Sequence, residues 1–265
     1  YIQISTLGNS SDFGERSVAN YARPASVSSS TRGLFAGGFV SPAYSNTIDY
    51  VTISSTGDAK DFGDMSIAMW ARAGCSNSTR GILAGGYAAP LNYNVIDHLT
   101  IATTGNTQDF GDLTRSRREM GGSSSTTRGI FMGGRSPVPS GVNNDEDIID
   151  YITIASTGNA VDFGNLAAAR TAGASCSNAI RSLYSGGNSS NSIEFVTIAT
   201  LGDAVDFGDM NNALNRLGSC ASSTRGIIAG GSPTNNTIEY VTIATTGDAQ
   251  DFGDLSRVGK RDIAG

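Results

Sequence analysis

The chain has 265 residues but only one histidine, three cysteines and six prolines, and 16% of its residues are charged. A single histidine excludes most acid–base and metal chemistry. No apolar run approaches the roughly 18 residues of a membrane span, and the N-terminus shows no signal-peptide pattern. The net charge of -6 argues against nucleic acid, because neutralising phosphates takes an excess of basic side chains. We expect no nucleic-acid partner, no membrane insertion, no metal and no cofactor.

Small side chains and an internal repeat dominate what is present. Glycine, serine and threonine together make up 92 residues. The triplet Asp-Phe-Gly recurs, beginning at Asp12, Asp61, Asp109, Asp162, Asp206 and Asp251. An arginine after a Ser/Thr-rich stretch also recurs, at Arg32, Arg80, Arg128, Arg181 and Arg225. Repeats of this length are typical of solenoids and propellers.

The repeats differ in length at one place. Their arginine-to-arginine spacings are 48, 48, 53 and 44 residues. The segments after the recurring Gly-Gly pair, 39–47, 87–95, 135–148 and 188–192, have 9, 9, 14 and 5 residues. Subtracting each from its spacing leaves 39 residues in every repeat. Variable loops on a constant frame are where binding function usually lies.

Each repeat predicts four short strands, named a to d in chain order. In the second repeat, strand a covers 73–77 and strand b covers 81–85. Strand c is clearest in the first repeat, at 48–54, where both faces carry apolar residues; strand d lies around 61–64. The Thr-Gly-Asp type of turn joins c to d as a hairpin. Four antiparallel strands in 44 to 53 residues predict an all-β propeller.

The second repeat resembles a kelch repeat. The resemblance lies in segments 72–75, 82–86, 96–98, 109–110 and 112–113. A kelch blade has an arginine before its first strand, a double glycine closing the second, an aromatic residue in the third and another before Met or Leu. Phenylalanine stands here where kelch blades usually have tryptophan. The resemblance covers essentially the whole chain and implies a kelch-type propeller of four-stranded antiparallel blades.

A narrower resemblance concerns the exact amino-acid sequence of the repeats. The run Thr-Ile-Ala-Thr-Thr-Gly-Asp-Ala, followed by Asp-Phe-Gly-Asp-Leu, occupies 242–255, and Ser-Thr-Arg-Gly recurs elsewhere. These runs resemble repeats in structural proteins of tailed phages that infect marine bacteria. That resemblance implies a virion-associated, extracellular protein.

The ends of the chain bear on the number of blades. There are six copies of strands c and d but five complete copies of a and b. We expect six blades, one of them split between the termini, because such closure removes exposed edges; a five-bladed ring is the alternative. One strand b would precede Tyr1, so we expect the chain to be part of a longer one. The single domain divides into 1–14 (strands c–d of the split blade), repeats 15–64, 65–112, 113–165, 166–209 and 210–254, and 255–265 (the start of the closing strand a).

Alternating strand direction places the variable b–c loops and the d–a segments on one face. Aromatic, asparagine and arginine side chains there are common contact residues in recognition. The candidate ligand-binding residues are Trp70 and Arg72 from a d–a segment, with Tyr44, Tyr87, Asn92, Tyr93, Arg135, Asn143 and Asn144 from the loops. The opposite face carries identical turns in every blade, which indicates a structural task, such as pairing of each arginine with an aspartate of the next turn.

Several motifs suggest chemistry that their context does not support. Asp-Phe-Gly occurs in protein kinases, but six periodic copies make it a blade element with its phenylalanine in the core. Carboxylates at Asp58, Asp61 and Asp64 lack the spacing of a calcium loop, and the acidic run 145–147 is the better cation candidate. His98 fills the slot of an aromatic residue and is expected to pack.

The three cysteines, Cys75, Cys176 and Cys220, occupy equivalent positions in different blades. Ring rotation separates such positions, whereas a disulfide needs Cα atoms within about 7 Å. We expect free, buried thiols with neither a disulfide nor zinc.

These observations favour a non-enzymatic binding module of a virion. It would be a phage tail or fibre propeller that presents variable loops to a host-surface ligand, a glycan or a protein, and that contacts other virion proteins. A structural or assembly component of the particle is the first alternative. A cellular kelch scaffold that binds a protein partner is the second.

Overall fold

The structure, a computed structural model, describes residues 1–17, 22–137, 143–233 and 235–256. These residues form twenty-four β-strands and no helix, hence no helical segment long and apolar enough to cross a membrane. Twenty strands build five four-stranded antiparallel sheets, and four short strands build two ribbons. The inner strands of successive sheets pack side by side from the first sheet to the fifth. The all-β propeller prediction is confirmed.

Each blade contains strands a to d in chain order. Blade 1 comprises β1 (Ala25–Ser28), β2 (Arg32–Val40), β3 (Ala43–Thr52) and β4 (Lys60–Asp64); blade 2 comprises β5 (Ala73–Ser76), β6 (Arg80–Ala84), β9 (Val95–Thr100) and β10 (Gln108–Asp112). Blade 3 comprises β11 (Gly121–Ser124), β12 (Arg128–Met132), β15 (Ile148–Thr153) and β16 (Val161–Asn165). Blade 4 comprises β17 (Ala174–Ser177), β18 (Arg181–Ser185), β19 (Ser190–Thr197) and β20 (Val205–Leu214), and blade 5 comprises β21 (Gly218–Ala221), β22 (Arg225–Ala229), β23 (Thr237–Thr242) and β24 (Gln250–Asp254).

The number of complete blades corrects the preferred sequence-based count. The described residues hold five four-stranded sheets, which is the five-blade alternative, and not six. Six blades were expected because there are six Asp-Phe-Gly triplets. Each triplet marks a pair of strands c and d, which is only half of a four-stranded sheet. The start of the closing strand a was predicted at 255–265, of which residues 257–265 lie outside the described residues.

The N-terminal residues form backbone hydrogen bonds to the outer parts of two blades. Ser11 N donates to Tyr1 O (2.8 Å), the hairpin contact expected of a c–d pair. Gly8 N donates to Phe252 O of blade 5 (2.9 Å), and Gly57 N of blade 1 donates to Phe13 O (2.8 Å). Residues 1–17 therefore bridge the outer strands of blades 5 and 1.

The phenylalanine is a core residue in the five Asp-Phe-Gly triplets that belong to complete blades. Phe163 is 2% exposed and meets Tyr151 of strand c edge to face at 5.9 Å. In blade 2, His98 takes the position that Tyr151 has in blade 3, with its ring centroid 5.8 Å from that of Phe110, as predicted. Phe13 departs from the prediction because it is only half-buried.

The glycine of the triplet permits close packing between blades. The β3–β4 register shifts beside Gly63, whose φ is 146°. A Cβ there would lie 2.5 Å from the carbonyl oxygen of Gly105 in the next blade. The triplet therefore marks a β-bulge at which neighbouring blades touch.

The cysteines pack against the next blade. A Cβ on Gly129 would lie 2.7 Å from Cys75 Sγ, and one on Gly226 would lie 2.6 Å from Cys176 Sγ. All three thiols are free, as expected, although Cys220 is only half-buried. Burial raises the pKa of Cys176 to about 12, so this thiol stays protonated at neutral pH.

Buried ion pairs tie the d–a segments to the blades. Arg117 Nη2 lies 2.6 Å from Asp150 Oδ2, and Arg72 Nη1 lies 2.6 Å from Asp97 Oδ2. Both arginines also donate to backbone carbonyls, which satisfies groups that would otherwise be costly to bury. The ion pairs Arg16–Asp49 and Arg170–Glu194 occupy the corresponding places in blades 1 and 4.

Blade 5 has a buried acid at this place but no arginine among the described residues. Glu239 Oε2 accepts a hydrogen bond from Asn211 N (3.2 Å), while its Oε1 has no partner in the described part of the chain. Burial raises the pKa of Glu239. The charged form of this side chain is therefore a cost to the fold.

We expect Glu239→Gln to stabilise the protein at neutral pH. Because the folded-state pKa is raised, the protonated form is favoured below the unfolded-state pKa, and stability is lost as pH rises through the folded-state value. The variant has no carboxyl to ionise and does not lose this stability. Its free energy of unfolding therefore rises relative to that of the wild type by at most about 1.4 kcal/mol per pH unit between the two pKa values. Urea unfolding at pH 4 and pH 7 measures the difference. A stability difference between variant and wild type that is the same at both pH values would contradict this account. Glu194→Gln is the control: it removes the ion-pair partner of Arg170 and should destabilise the protein at pH 7.

Candidate functional site

The variable loops and the d–a segments meet at one end of the ring, as predicted. Trp70, which precedes blade 2, forms a β-bridge with Tyr87 of the b–c loop. Arg118, which precedes blade 3, bridges Arg135 in the same way. The two ribbons, β7 (Tyr87–Ala88) with β8 (Leu91–Asn92) and β13 (Arg135–Pro137) with β14 (Asn143–Asp145), extend the loops of these blades.

Four aromatic side chains at this end form one contiguous group, the aromatic cluster of Phe39, Tyr44, Trp70 and Tyr87. Phe39 lies 5.3 Å from Tyr44 and 5.8 Å from Trp70, measured between ring centroids. Tyr87 lies 6.2 Å from Tyr44 and 6.4 Å from Trp70, with both pairs edge to face. All four residues are half-buried, so the cluster joins blades 1 and 2 while part of each ring faces solvent.

Two arginines stack on the cluster. The guanidinium carbon of Arg23 lies 4.9 Å from the Trp70 ring centroid, and that of Arg118 lies 4.5 Å from the Tyr87 ring centroid. Arg23 also pairs with Glu119, and Arg118 donates to Asn92 Oδ1 (2.9 Å). Burial, and then the nearby charge of Arg135, lower the pKa of Arg118. The contacts with Glu119 and Asn92 hold the two guanidinium groups in fixed orientations against the rings.

The candidate residues fall into three groups. Tyr44, Trp70 and Tyr87 belong to the aromatic cluster, while Asn92 and Arg135 adjoin it. Asn92 is nearly buried and donates to Arg135 O (3.4 Å), so it supports the loop of blade 3.

The remaining candidates lie apart from the cluster's open surface. Tyr93 packs against the core of blade 1, and Asn144 is exposed on β14 opposite Ser136. Asn143 pairs with Pro137 through the backbone, and its side chain lies outside the described residues. Arg72 is buried in its ion pair with Asp97, so we assign it a structural role instead of ligand contact.

Phe39 and Arg118 were not among the sequence-based candidates. Phe39 directly follows the double glycine, and Arg118 takes the β-bridge position that Trp70 holds one repeat earlier. Aligning the bridge positions of successive repeats would have found Arg118. Phe39 becomes a site residue only because the rings of blades 1 and 2 meet.

Two of the three acids in the acidic run 145–147 of the longest loop are paired with arginines. Asp145 accepts from Arg135 Nε (2.8 Å), and Glu146 accepts from Arg115 Nη1 (2.9 Å). Asp58, an acid of the repeated turns, accepts from Glu15 N (3.0 Å). In the described part of the chain, no three His, Cys, Asp or Glu side chains are grouped as metal ligands.

The arginines at the opposite end hold neighbouring blades together. Arg32 Nη1 donates to Ile101 O (3.0 Å) and Ala102 O (2.9 Å) of blade 2, and the guanidinium stacks on Tyr50 at 4.7 Å. The predicted structural role therefore fits these contacts, but the proposed aspartate partner was wrong: the acceptors are backbone carbonyls.

A scan against models of protein families finds no match, and a search of curated proteins finds no similar protein. The kelch and phage resemblances therefore stay at the level of the repeat pattern. The chain is a β-propeller, a fold that commonly serves as a binding or scaffold module.

Proposed function

We propose that this propeller is a non-enzymatic binding module that presents the aromatic cluster to a saccharide on a host cell surface. The observation that carries the proposal is the cluster itself: four adjoining rings, two of them stacked by arginines, at the end where the loops vary in length. Aromatic faces take up the apolar faces of sugars, and the flanking arginine and asparagine groups can bind hydroxyls.

The arrangement of polar groups supports binding over catalysis. The chain's single histidine packs against Phe110, and the acids beside the cluster are paired with arginines. General acid–base work needs a titratable group held within reach of a substrate. The arginines around the cluster stack on its rings, and the flanking polar groups are suited to hydrogen bonding with a ligand more than to proton transfer.

The virion setting is part of the same proposal and is supported by the wording of the repeats. A tail or fibre module would need a stable scaffold with adaptable loops, and this chain has a constant 39-residue frame. The other end of the ring uses its repeated arginines for contacts between blades, so the aromatic end is the better candidate for contact with a host.

A glycan array with matched variants tests the proposal. We expect the labelled wild-type protein to bind a subset of bacterial surface glycans, and Trp70→Ala and Tyr87→Ala each to weaken binding at least about tenfold, as for a central aromatic contact. Tyr50→Ala is the control, because Tyr50 is an arginine-stacked aromatic at the opposite end. Equal loss in all three variants, or no effect of the first two on a bound glycan, would refute the assigned face.

A further inference from the structure

The β-bridge between Arg118 and Arg135 places two arginines directly opposite each other beside the aromatic cluster. Arg118 N donates to Arg135 O (3.1 Å), and Arg135 N donates to Arg118 O (2.8 Å). Residues paired in this way have their Cβ atoms about 5 Å apart on one face, and like charges there destabilise the pairing. The corresponding bridges among the described residues carry no like charges; they join Ala22 to Phe39, Trp70 to Tyr87 and Asn215 to Ser232. Blade 3 therefore keeps an electrostatic repulsion that these three bridges lack.

Each of the two guanidinium groups is held by one polar contact and keeps donors for another. Arg118 donates through Nη1 to Asn92 Oδ1 (2.9 Å), and Arg135 donates through Nε to Asp145 Oδ1 (2.8 Å). In the described part of the chain, no residue accepts a hydrogen bond from Arg118 Nη2 or from either Nη atom of Arg135. The two side chains are 14% and 35% exposed, respectively. The pair therefore offers oriented donors that the described residues do not use.

The acids beside the pair do not cancel its charge. Asp145 pairs with Arg135, and Glu119 pairs with Arg23. Arg118 Nε lies 4.0 Å from Glu119 Oε1, the same oxygen that Arg23 contacts. Three arginines thus share two carboxylates among the described residues here, although the net charge of the chain is -6. Burial, and then the charge of Arg135, lower the pKa of Arg118, as expected for a cation beside a like charge.

We propose that the saccharide bound by this protein is acidic, and that Arg118 and Arg135 bind its anionic group, a carboxylate or a sulfate ester. A guanidinium pairs with an oxyanion through two parallel, charge-assisted hydrogen bonds. An anion bound by both side chains also offsets their mutual repulsion. This inference rests on the saccharide function proposed above and names the class of saccharide.

The arginine pair adjoins the rings on which the sugar would stack. The guanidinium carbon of Arg118 lies 4.5 Å from the ring centroid of Tyr87, a member of the aromatic cluster. The amide of Asn92 joins the two arginines, because it accepts from Arg118 and donates to Arg135 O (3.4 Å). A sugar ring on the exposed part of Tyr87 would therefore place an anionic substituent beside the pair.

An array of matched glycans tests the inference. Oligosaccharides of uronic and nonulosonic acids are printed beside their carboxyl-reduced forms, and sulfated oligosaccharides beside their desulfated forms. The wild type should bind the acidic member of a pair at least about tenfold more tightly than the neutral member. The series that shows the difference distinguishes a carboxylate from a sulfate. The preference should shrink as the salt concentration rises, because salt screens charge pairs near the surface.

Variants of the protein separate contact by the pair from the overall charge. Arg135→Gln should bind the acidic glycan only as tightly as the neutral one. Combining Arg135→Gln with Asp145→Asn restores the net charge but not the guanidinium, so the preference should still be lost. Arg115→Gln is the control and should keep the preference, because Arg115 lies in the same d–a segment but pairs with Glu146.

The outcomes distinguish this inference from the saccharide proposal on which it rests. Equal binding of the acidic and neutral forms to the wild type would overturn the acidic preference and leave the saccharide proposal standing. Binding of no glycan would overturn both. An oligoglutamate peptide is printed on the same array; if it is bound while no glycan is, the arginine pair serves a protein partner and both proposals fail. A preference retained in the double variant would also overturn the role of the pair.

Discussion

Arg117→Met is expected to lower the free energy of unfolding by about 3–5 kcal/mol, the usual cost of removing one partner of a buried ion pair. Arg117 and Asp150 are both fully buried, so the variant leaves a carboxylate in the core. Thr114 Oγ1 still donates to Asp150 (2.7 Å), but Gly133 O and Ile148 O lose the donor Nη1. Urea unfolding followed by circular dichroism measures the loss.

Two further variants separate burial from charge. Arg115→Met removes an arginine from the same segment, but its side chain is 55% exposed, so its loss should cost less than about 1 kcal/mol. Adding Asp150→Asn to Arg117→Met should recover part of the stability, because the stranded charge is gone. If Arg117→Met costs no more than Arg115→Met, the ion pair does not hold the blade as described.

Phe163→Ala is expected to cost about 3–5 kcal/mol, the range for truncation of a buried phenylalanine. Phe163 is enclosed in a cluster with Ile130, Ile149 and Tyr184, so truncation leaves a cavity. Val161→Ala, at a position of the same strand whose side chain is 52% exposed, should change stability by no more than about 0.5 kcal/mol. Equal unfolding midpoints for Phe163→Ala and the wild type would mean that the triplet is not a core element.

The architecture could be predicted because every repeat carries the same local signals. The double glycines, the Asp-Phe-Gly bulge and the Thr-Gly-Asp turns recur at fixed offsets, so strand order follows from spacing alone. The blade number could not be predicted in this way. Residues 1–17 carry the same turn and triplet as a whole blade, although they supply only its outer contacts.

The candidate site was predictable in position but not in membership. Strand alternation placed Trp70 and Tyr87 at one end, and the β-bridge between them confirms this. Arg72 is nearby in sequence, yet its side chain turns inward to Asp97, because the buried carboxylate needs a partner. Local sequence does not distinguish these two directions. The contribution of Phe39 depends on rings from a neighbouring blade, which a single repeat does not show.

The emission of Trp70 tests the central claim most directly. Trp70 is the only tryptophan of the chain and sits within the aromatic cluster, so its fluorescence reports on this surface alone. Titration with a glycan that the protein binds should change the emission saturably, with a midpoint equal to that from calorimetry. Saturable binding in the calorimeter with unchanged Trp70 emission would place the ligand elsewhere and contradict the account.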